Sequence, residues 1–202
     1  MFTGIISHLG KFSSFRKSQT ELLIEAPPEI LLERGDSLAI NGVCLSLVWR
    51  DDKLLVFNLS KETLQTTNLR HLRRGQTLNL ELPLSLSTPL GGHLVSGHVD
   101  TTEKVLALRK HPAGWRMSVS LKSEVRPFFI LKGSVAVNGV SLTIASLGGA
   151  SMDLELIPLT LEGTNLDSLR SGDAVNIECD IIGKYVYNMV LRGRPGGPPG
   201  PR

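Results

Sequence analysis

Two histidines, one cysteine and a few small hydroxyl side chains are the residues of this chain with most chemistry to offer. His98, between Gly97 and Val99, carries the side chain whose unperturbed pKa lies closest to neutral, so it is the first candidate for proton transfer. The plainer alternative is a polar residue that fixes a turn. His93 stands five residues earlier, on a Gly-Gly turn, and is read as a structural hydrogen-bonding group. Cys44 and Ser46 are two apart, as are Ser141 and Thr143, and residues two apart on a strand share one face. A thiol or hydroxyl there can bond a ligand edge or activate a nucleophile. Cys44 would serve equally well as a small buried hydrophobe.

These groups sit at equivalent places in a duplicated sequence. Asn41-Gly42-Val43-Cys44-Leu45-Ser46 returns 97 positions later as Asn138-Gly139-Val140-Ser141-Leu142-Thr143. The same shift matches Thr63 to Thr160, Asn68 to Asn165, Asn79 to Asn176 and Glu81 to Glu178, so the chain reads as two homologous halves joined near Ser85 to Gly92. Inside each half, short alternating runs such as Thr77-Leu78-Asn79-Leu80 and Met117-Ser118-Val119-Ser120 are punctuated by Gly and Asp turns. Closing each half into a barrel would remove exposed sheet edges. Two similar β-barrels are therefore expected. Short helical stretches are expected at 29–34, 62–72, 124–131 and 159–169, and an amphipathic helix at 181–191, with apolar residues at i, i+4 and i+8. The Gly/Pro-rich tail 192–202 is expected to be disordered.

Composition narrows the function classes. The chain has 202 residues, 41% hydrophobic and 20% charged, enough for one good core or two small ones. Its net charge of +3 comes from basic residues scattered among acidic ones, and aromatic content is only 5%, which argues against nucleic-acid binding. Two cysteines without a C-x-x-C pair give neither a disulfide framework nor a metal site and suggest a reducing cytoplasm. The amino terminus lacks a secretory pattern, and no apolar run approaches the ~18 residues that span a bilayer. No G-x-G-x-x-G follows a strand, so a flavin reductase with a nicotinamide domain is also disfavoured.

Four segments together carry a family likeness: Met1-Phe2-Thr3-Gly4-Ile5-Ile6, the Asn41 and Asn138 hexapeptides, and Gly91-Gly92-His93-Leu94-Val95-Ser96-Gly97-His98-Val99-Asp100. Over about residues 1–191 the chain resembles the riboflavin synthase alpha-chain family. The resemblance implies an all-β fold of two homologous six-stranded Greek-key antiparallel barrels plus a C-terminal helix. It divides the chain into a barrel at 1–88, a barrel at 89–180 and a trimerisation helix at 181–191. It also implies a homotrimer, two copies of 6,7-dimethyl-8-ribityllumazine per site, possible association with lumazine synthase, and no metal or redox cofactor. The lumazine C7 methyl is acidic because its carbanion delocalises into the ring, so orientation and a positioned proton acceptor are the main demands on such an enzyme.

Carried onto this sequence, the resemblance gives catalytic roles to His98, Ser141, Thr143, Cys44 and Ser46. Gly4, Ile5 and Ile6 would approach the ring through their backbone, with Gly97, Val99, Leu45 and Leu142 alongside. The equivalent segments Asn58-Leu59-Ser60-Lys61-Glu62-Thr63 and Glu155-Leu156-Ile157-Pro158-Leu159-Thr160 would hold ligand through backbone and the two threonines, and Lys132 would reach it from a neighbouring subunit. Ser37, His93 and Asp180 are possible supports. Some members of the family carry an acid where Asn138 or Leu159 stands here. A noncatalytic lumazine or flavin carrier of the same fold is the main rival. Such carriers typically lose the His98-type histidine and the Ser141 to Thr143 hydroxyls, which are present here.

Overall fold

The structure, a computed structural model, describes residues 1–112 and 114–192. The rest of the expected tail, 193–202, lies outside the described residues.

Among the described residues, twelve strands close into two barrels. The first comprises β1 (His8–Arg16), β2 (Glu21–Glu25), β3 (Ser37–Ile40), β4 (Val43–Arg50), β5 (Leu54–Asn58) and β6 (Thr77–Glu81), in the order β1-β2-β5-β4-β3-β6. The second comprises β7 (Thr101–His111), β8 (Gly114–Ser120), β9 (Ser134–Val137), β10 (Val140–Leu147), β11 (Ser151–Leu156) and β12 (Ala174–Cys179), paired in the corresponding order. Every pairing is antiparallel. Even the irregularities recur: bulges at Phe12/Ser14 and Leu47/Trp49 return at Val105/Ala107 and Ile144/Ser146. Bulges add local twist, and so small a sheet needs that twist to close.

Each barrel encloses its own apolar core. Phe12, Leu22, Leu38, Leu45, Phe57 and Leu80 fill the first, and Met117, Val135, Leu142, Ile144, Leu154 and Ile177 the second. Strand alternation sets this directly: on β4, Val43, Leu45 and Leu47 are buried while Cys44 is half-buried and Ser46 exposed, and β10 repeats the pattern. The bores are thus occupied by side chains, and the thiol and hydroxyl positions face outward.

The repeated Asn-Gly pairs are the β3–β4 and β9–β10 hairpin turns. Asn41 and Gly42 have φ of 47° and 77°, and Asn138 and Gly139 of 46° and 81°. Both residues of a two-residue turn matching strand twist need such positive φ, for which asparagine and glycine carry the least strain. The turns meet between the barrels inside a network of six asparagines. Asn79 Nδ2 donates to the Asn138 carbonyl and Asn176 Nδ2 to the Asn41 carbonyl, each at 2.9 Å. The amides of Asn68 and Asn165 donate to Asn176 Oδ1 and Asn79 Oδ1, each at 2.7 Å. The pattern has pseudo-two-fold symmetry.

The helix expected at 181–191 is present as Ile181–Arg192, whereas the four expected within the two halves are shorter or missing. Residues 29–34 have turns at their two ends and neither helix nor strand between, and Ile30 and Leu32 are buried alternately, a period of two rather than a helical one. In 124–131 only Arg126–Phe128 forms a 3-10 turn, with Pro127 inside it. The other two stretches each split in two: α1 (Lys61–Thr66) and α2 (Pro158–Glu162) are followed by 3-10 turns at Asn68–His71 and Asn165–Ser168. The split falls at Thr67 and Thr164, whose hydroxyls accept the amides of Leu69 and Leu166 and so start a new turn.

Helix α3 (Ile181–Arg192) runs beside the Arg126–Phe128 turn. A methyl on Gly183 would lie 2.7 Å from the Phe128 carbonyl oxygen, so this glycine permits the approach and does not interrupt the helix. Tyr187 meets Phe128 edge to face at 5.2 Å, and Lys184 pairs with Asp100 at 2.7 Å.

Candidate functional site

Two short segments outside the barrels complete the outward faces of β4 and β10. Residues 2–6 precede β1, and residues 95–99 precede β7. They meet where Phe2 and Val95 exchange backbone hydrogen bonds at 2.7 and 3.1 Å. From that junction each lies across the barrel of the other half. The Gly4 carbonyl accepts the Ser141 amide at 2.8 Å, and the Gly97 carbonyl accepts the Cys44 amide at 2.9 Å. Ile6 packs on the second core and Val99 on the first. Glycine is required at both crossings. With φ of 76° and 82°, a methyl on Gly4 or Gly97 would fall 2.6 Å from Ser141 Cβ or 2.5 Å from Cys44 Cβ.

On the first barrel this arrangement forms a cavity of about 230 Å³ walled by Cys44, Thr63, Thr67, Gly97, His98 and Val99. His98 is exposed, and its amide donates to Ser96 Oγ at 3.1 Å. No described residue bonds its imidazole. Ser60 begins α1 by accepting the Thr63 amide at 3.0 Å, and its hydroxyl shares a hydrogen bond with Thr63 Oγ1 at 2.8 Å. That cap turns Thr63 to the cavity wall.

On the second barrel Ser141 Oγ lies 2.7 Å from His93 Nδ1. His93 is 9% exposed, and its Nε2 has no partner among the described residues. Burial lowers the His93 pKa, outweighing the opposite influence of the Asp180 carboxylate. The imidazole is therefore neutral at pH 7, able to accept the Ser141 proton at Nδ1 or donate from it according to tautomer. Asp180 also caps α3 by accepting the Ile182 amide at 2.9 Å.

The sequence candidates thus divide between two places. Cys44, Thr63, Gly97, His98 and Val99 come together on the first barrel, and Gly4, Ser141 and His93 on the second. His98 and Ser141, both assigned catalytic roles, belong to different clusters. Ser46 and Thr143 share the outward faces with Cys44 and Ser141, and Ser37 pairs with Ser46 across β3 and β4. Leu45, Leu59, Leu142 and Leu156 turn their side chains into the cores. Asn58, Lys61, Glu62, Ile157, Pro158 and Leu159 are exposed around the starts of α1 and α2, with Thr160 half-buried behind them. Glu155 is held on the barrel surface by Arg116 and by His111, the latter at 2.9 Å. Lys132 is exposed in a left-handed turn before β9, outside both clusters.

The residues that sequence reasoning missed are Glu81 and Glu178, which tie down the two crossing segments. Their equivalence at the 97-residue shift was visible. The segments they hold are related by 93 residues instead, Thr3-Gly4 to Ser96-Gly97, and that second offset was the overlooked signal.

Comparison with known proteins agrees with this duplicated arrangement. The lumazine binding domain family matches the chain twice, at residues 3–83 and 96–180. Riboflavin synthase of Bacillus subtilis is 35% identical over 193 residues, covering 94% of this chain and 90% of that protein. The Mycobacterium tuberculosis riboflavin synthase is 36% identical over 203 residues, covering 94% and 98%. Among solved structures, LumP complexed with riboflavin superposes with a TM-score of 0.81 at 22% identity, covering 89% of this chain and 99% of that one, a likeness of fold.

Proposed function

The chain belongs to the riboflavin synthase family of lumazine-binding proteins, and on that premise we propose that it converts two molecules of 6,7-dimethyl-8-ribityllumazine into riboflavin and 5-amino-6-ribitylamino-2,4-pyrimidinedione, the last step of riboflavin biosynthesis. The observation that carries this reading is the pair of equivalent outward-facing sites, at Cys44 and Ser141, each crossed by a glycine of the other half. A reaction between two copies of one heterocycle needs two such places.

The residues divide the work by position. Ser141 and His93 form the pair able to move a proton, since a neutral buried imidazole 2.7 Å from a hydroxyl can raise its nucleophilicity or relay its proton. Cys44, Thr63 and His98 line the cavity on the first barrel, where a thiol, a hydroxyl and an imidazole without a hydrogen-bond partner among the described residues are available to one ligand edge. Ser46 and Thr143 extend the same polar faces. The carbonyls of Gly4 and Gly97 are engaged by Ser141 and Cys44, so these glycines set the distance between segment and strand. The two halves, 1–88 and 89–180, each take one lumazine.

A homotrimer through α3 completes the reading, bringing the first barrel of one subunit against the second barrel of its neighbour. Support comes from α3 itself, on which Ile182, Tyr185 and Met189 remain 60–72% exposed. Association with lumazine synthase belongs to the same reading. The two free cysteines favour the cytoplasm, and no helix among the described residues is long and apolar enough to cross a membrane.

The test is incubation of the purified chain with the lumazine alone. Riboflavin absorbance should grow at the expense of substrate, two molecules consumed for each one formed. Tight binding without that growth would leave a carrier function in its place.

A further inference from the structure

Two buried carboxylates take no part in the chemistry above, and the geometry points to both as positioning residues for the barrel opposite their own. Glu178, on β12 of the second barrel, holds Ser96-Gly97-His98 over Cys44 of the first; Glu81, on β6 of the first barrel, holds Thr3-Gly4-Ile5 over Ser141 of the second.

The two sets of contacts are nearly superimposable. Glu178 Oε1 accepts the Ser96 amide at 2.6 Å and hydroxyl at 2.7 Å, and Oε2 accepts the Gly97 amide at 3.0 Å. Glu81 does the same with Thr3 and Gly4 at 2.6, 2.7 and 3.1 Å. The hydroxyls then pass the constraint onward: Ser96 Oγ accepts the His98 amide and Thr3 Oγ1 the Ile5 amide, each at 3.1 Å. A continuous polar chain therefore runs from each carboxylate to the backbone of the segment that its half lays over the opposite barrel.

Glu81 is 5% exposed and Glu178 3%, and neither makes an ion pair among the described residues. A carboxylate so placed is costly unless donors converge on it. Three donors do so in each case: burial pushes both carboxyls above the usual carboxylate range, and these hydrogen bonds act in the opposite direction, favouring the charged form. Glutamine has the same volume but would turn an NH2 toward one of those donors.

This inference rests on the two-site reading above, but its first readout does not require turnover. Cys44 lies beneath Gly97, whereas Cys179 is buried in the second core, so alkylation of the intact chain by iodoacetamide, followed by peptide mass spectrometry, reports the first site with Cys179 as internal reference. Glu178→Gln should quicken Cys44 alkylation about tenfold, the consequence of losing a buried hydrogen bond to a charged group. Glu81→Gln, equally close to the pseudo-two-fold axis, should leave the Cys44 rate unchanged. In a lumazine titration Glu178→Gln should weaken one of the two sites and Glu81→Gln the other. Equal acceleration of Cys44 by both variants, or none by a folded Glu178→Gln, overturns the proposal. If Glu178→Gln does not fold, Ser96→Ala removes the hydroxyl link alone and must shift Cys44 in the same direction, with Thr3→Ala as its counterpart. An unchanged Cys44 rate in Ser96→Ala likewise overturns the assignment. A wild-type chain that binds lumazine without forming riboflavin, yet shows the crossed effects, would refute the enzymatic reading and leave the positioning roles standing.

Discussion

Gly42 and Gly139 lie back to back where the two barrels meet: a methyl on Gly42 would fall 2.6 Å from the Gly139 nitrogen, and one on Gly139 would fall 2.8 Å from the Gly42 nitrogen. The neighbouring atoms are backbone and cannot swing aside. Gly139→Ala should therefore cost about 2–4 kcal/mol, combining a left-handed φ with a steric clash between rigid elements. Urea unfolding of the variant against wild type measures this directly. A loss below about 1 kcal/mol would mean that the two halves can separate slightly without penalty.

The asparagine network gives a paired prediction. Asn79→Ala removes the Nδ2 bond to the Asn138 carbonyl and strips the buried Asn165 amide of its acceptor. Asn176→Ala does the same to the Asn41 carbonyl and the Asn68 amide. Each should lose about 3 kcal/mol in chemical denaturation, since an orphaned buried donor costs more than the bond itself contributed. Because the contacts correspond, the two losses should agree closely.

At the second site, Ser141→Ala should lower kcat about a hundredfold, the scale of losing a positioned proton-transfer group. His93→Gln should lower it similarly. If the hydroxyl and imidazole act as one unit, the double variant should be little worse than either single one, which steady-state kinetics on the three proteins will show.

His93 also makes stability depend on pH in a calculable direction. Its folded pKa is lowered by burial, so the unfolded chain takes up this proton first as pH falls. The His93 contribution is whole above the unfolded value of about 6.5 and is lost as pH drops below it toward the depressed folded value. Melting curves between pH 8 and pH 5 should show wild type losing stability more steeply than His93→Gln. Identical slopes would mean that His93 titrates normally.

The exposed apolar side chains of α3 predict self-association. Tyr185→Glu together with Met189→Glu should convert the assembly to monomer in native mass measurement while leaving the barrels folded. Turnover should fall with the loss of assembly, and a fully active monomer would refute a site shared between subunits.

Much of the architecture could be read directly from residues. The Asn-Gly hexapeptides announced both the duplication and the hairpin turns, because only a two-residue turn with positive φ needs that pair between alternating apolar runs. Alternation also placed Cys44 with Ser46, and Ser141 with Thr143, on common faces. What remained hidden was long-range. Nothing local shows that Gly4 must rest on Ser141, or that His93 and His98, five residues apart, serve different barrels. Helix expectations at 29–34 and 124–131 failed where alternate burial of Ile30 and Leu32, and the ring of Pro127, gave irregular or 3-10 backbone instead.

The crossed leaders constrain how such a molecule could have arisen. A half-length forebear carrying one barrel and one leader could not have covered its own polar strand, since the leader lies over the other half. It would have had to exchange leaders with a second copy, about an axis now marked by Phe2 with Val95 and by the two abutting glycines. Within the present chain, connectivity fixes each segment over the opposite half. The two faces differ in what they carry: one has a thiol and an imidazole without a hydrogen-bond partner among the described residues, the other a hydroxyl paired with a histidine.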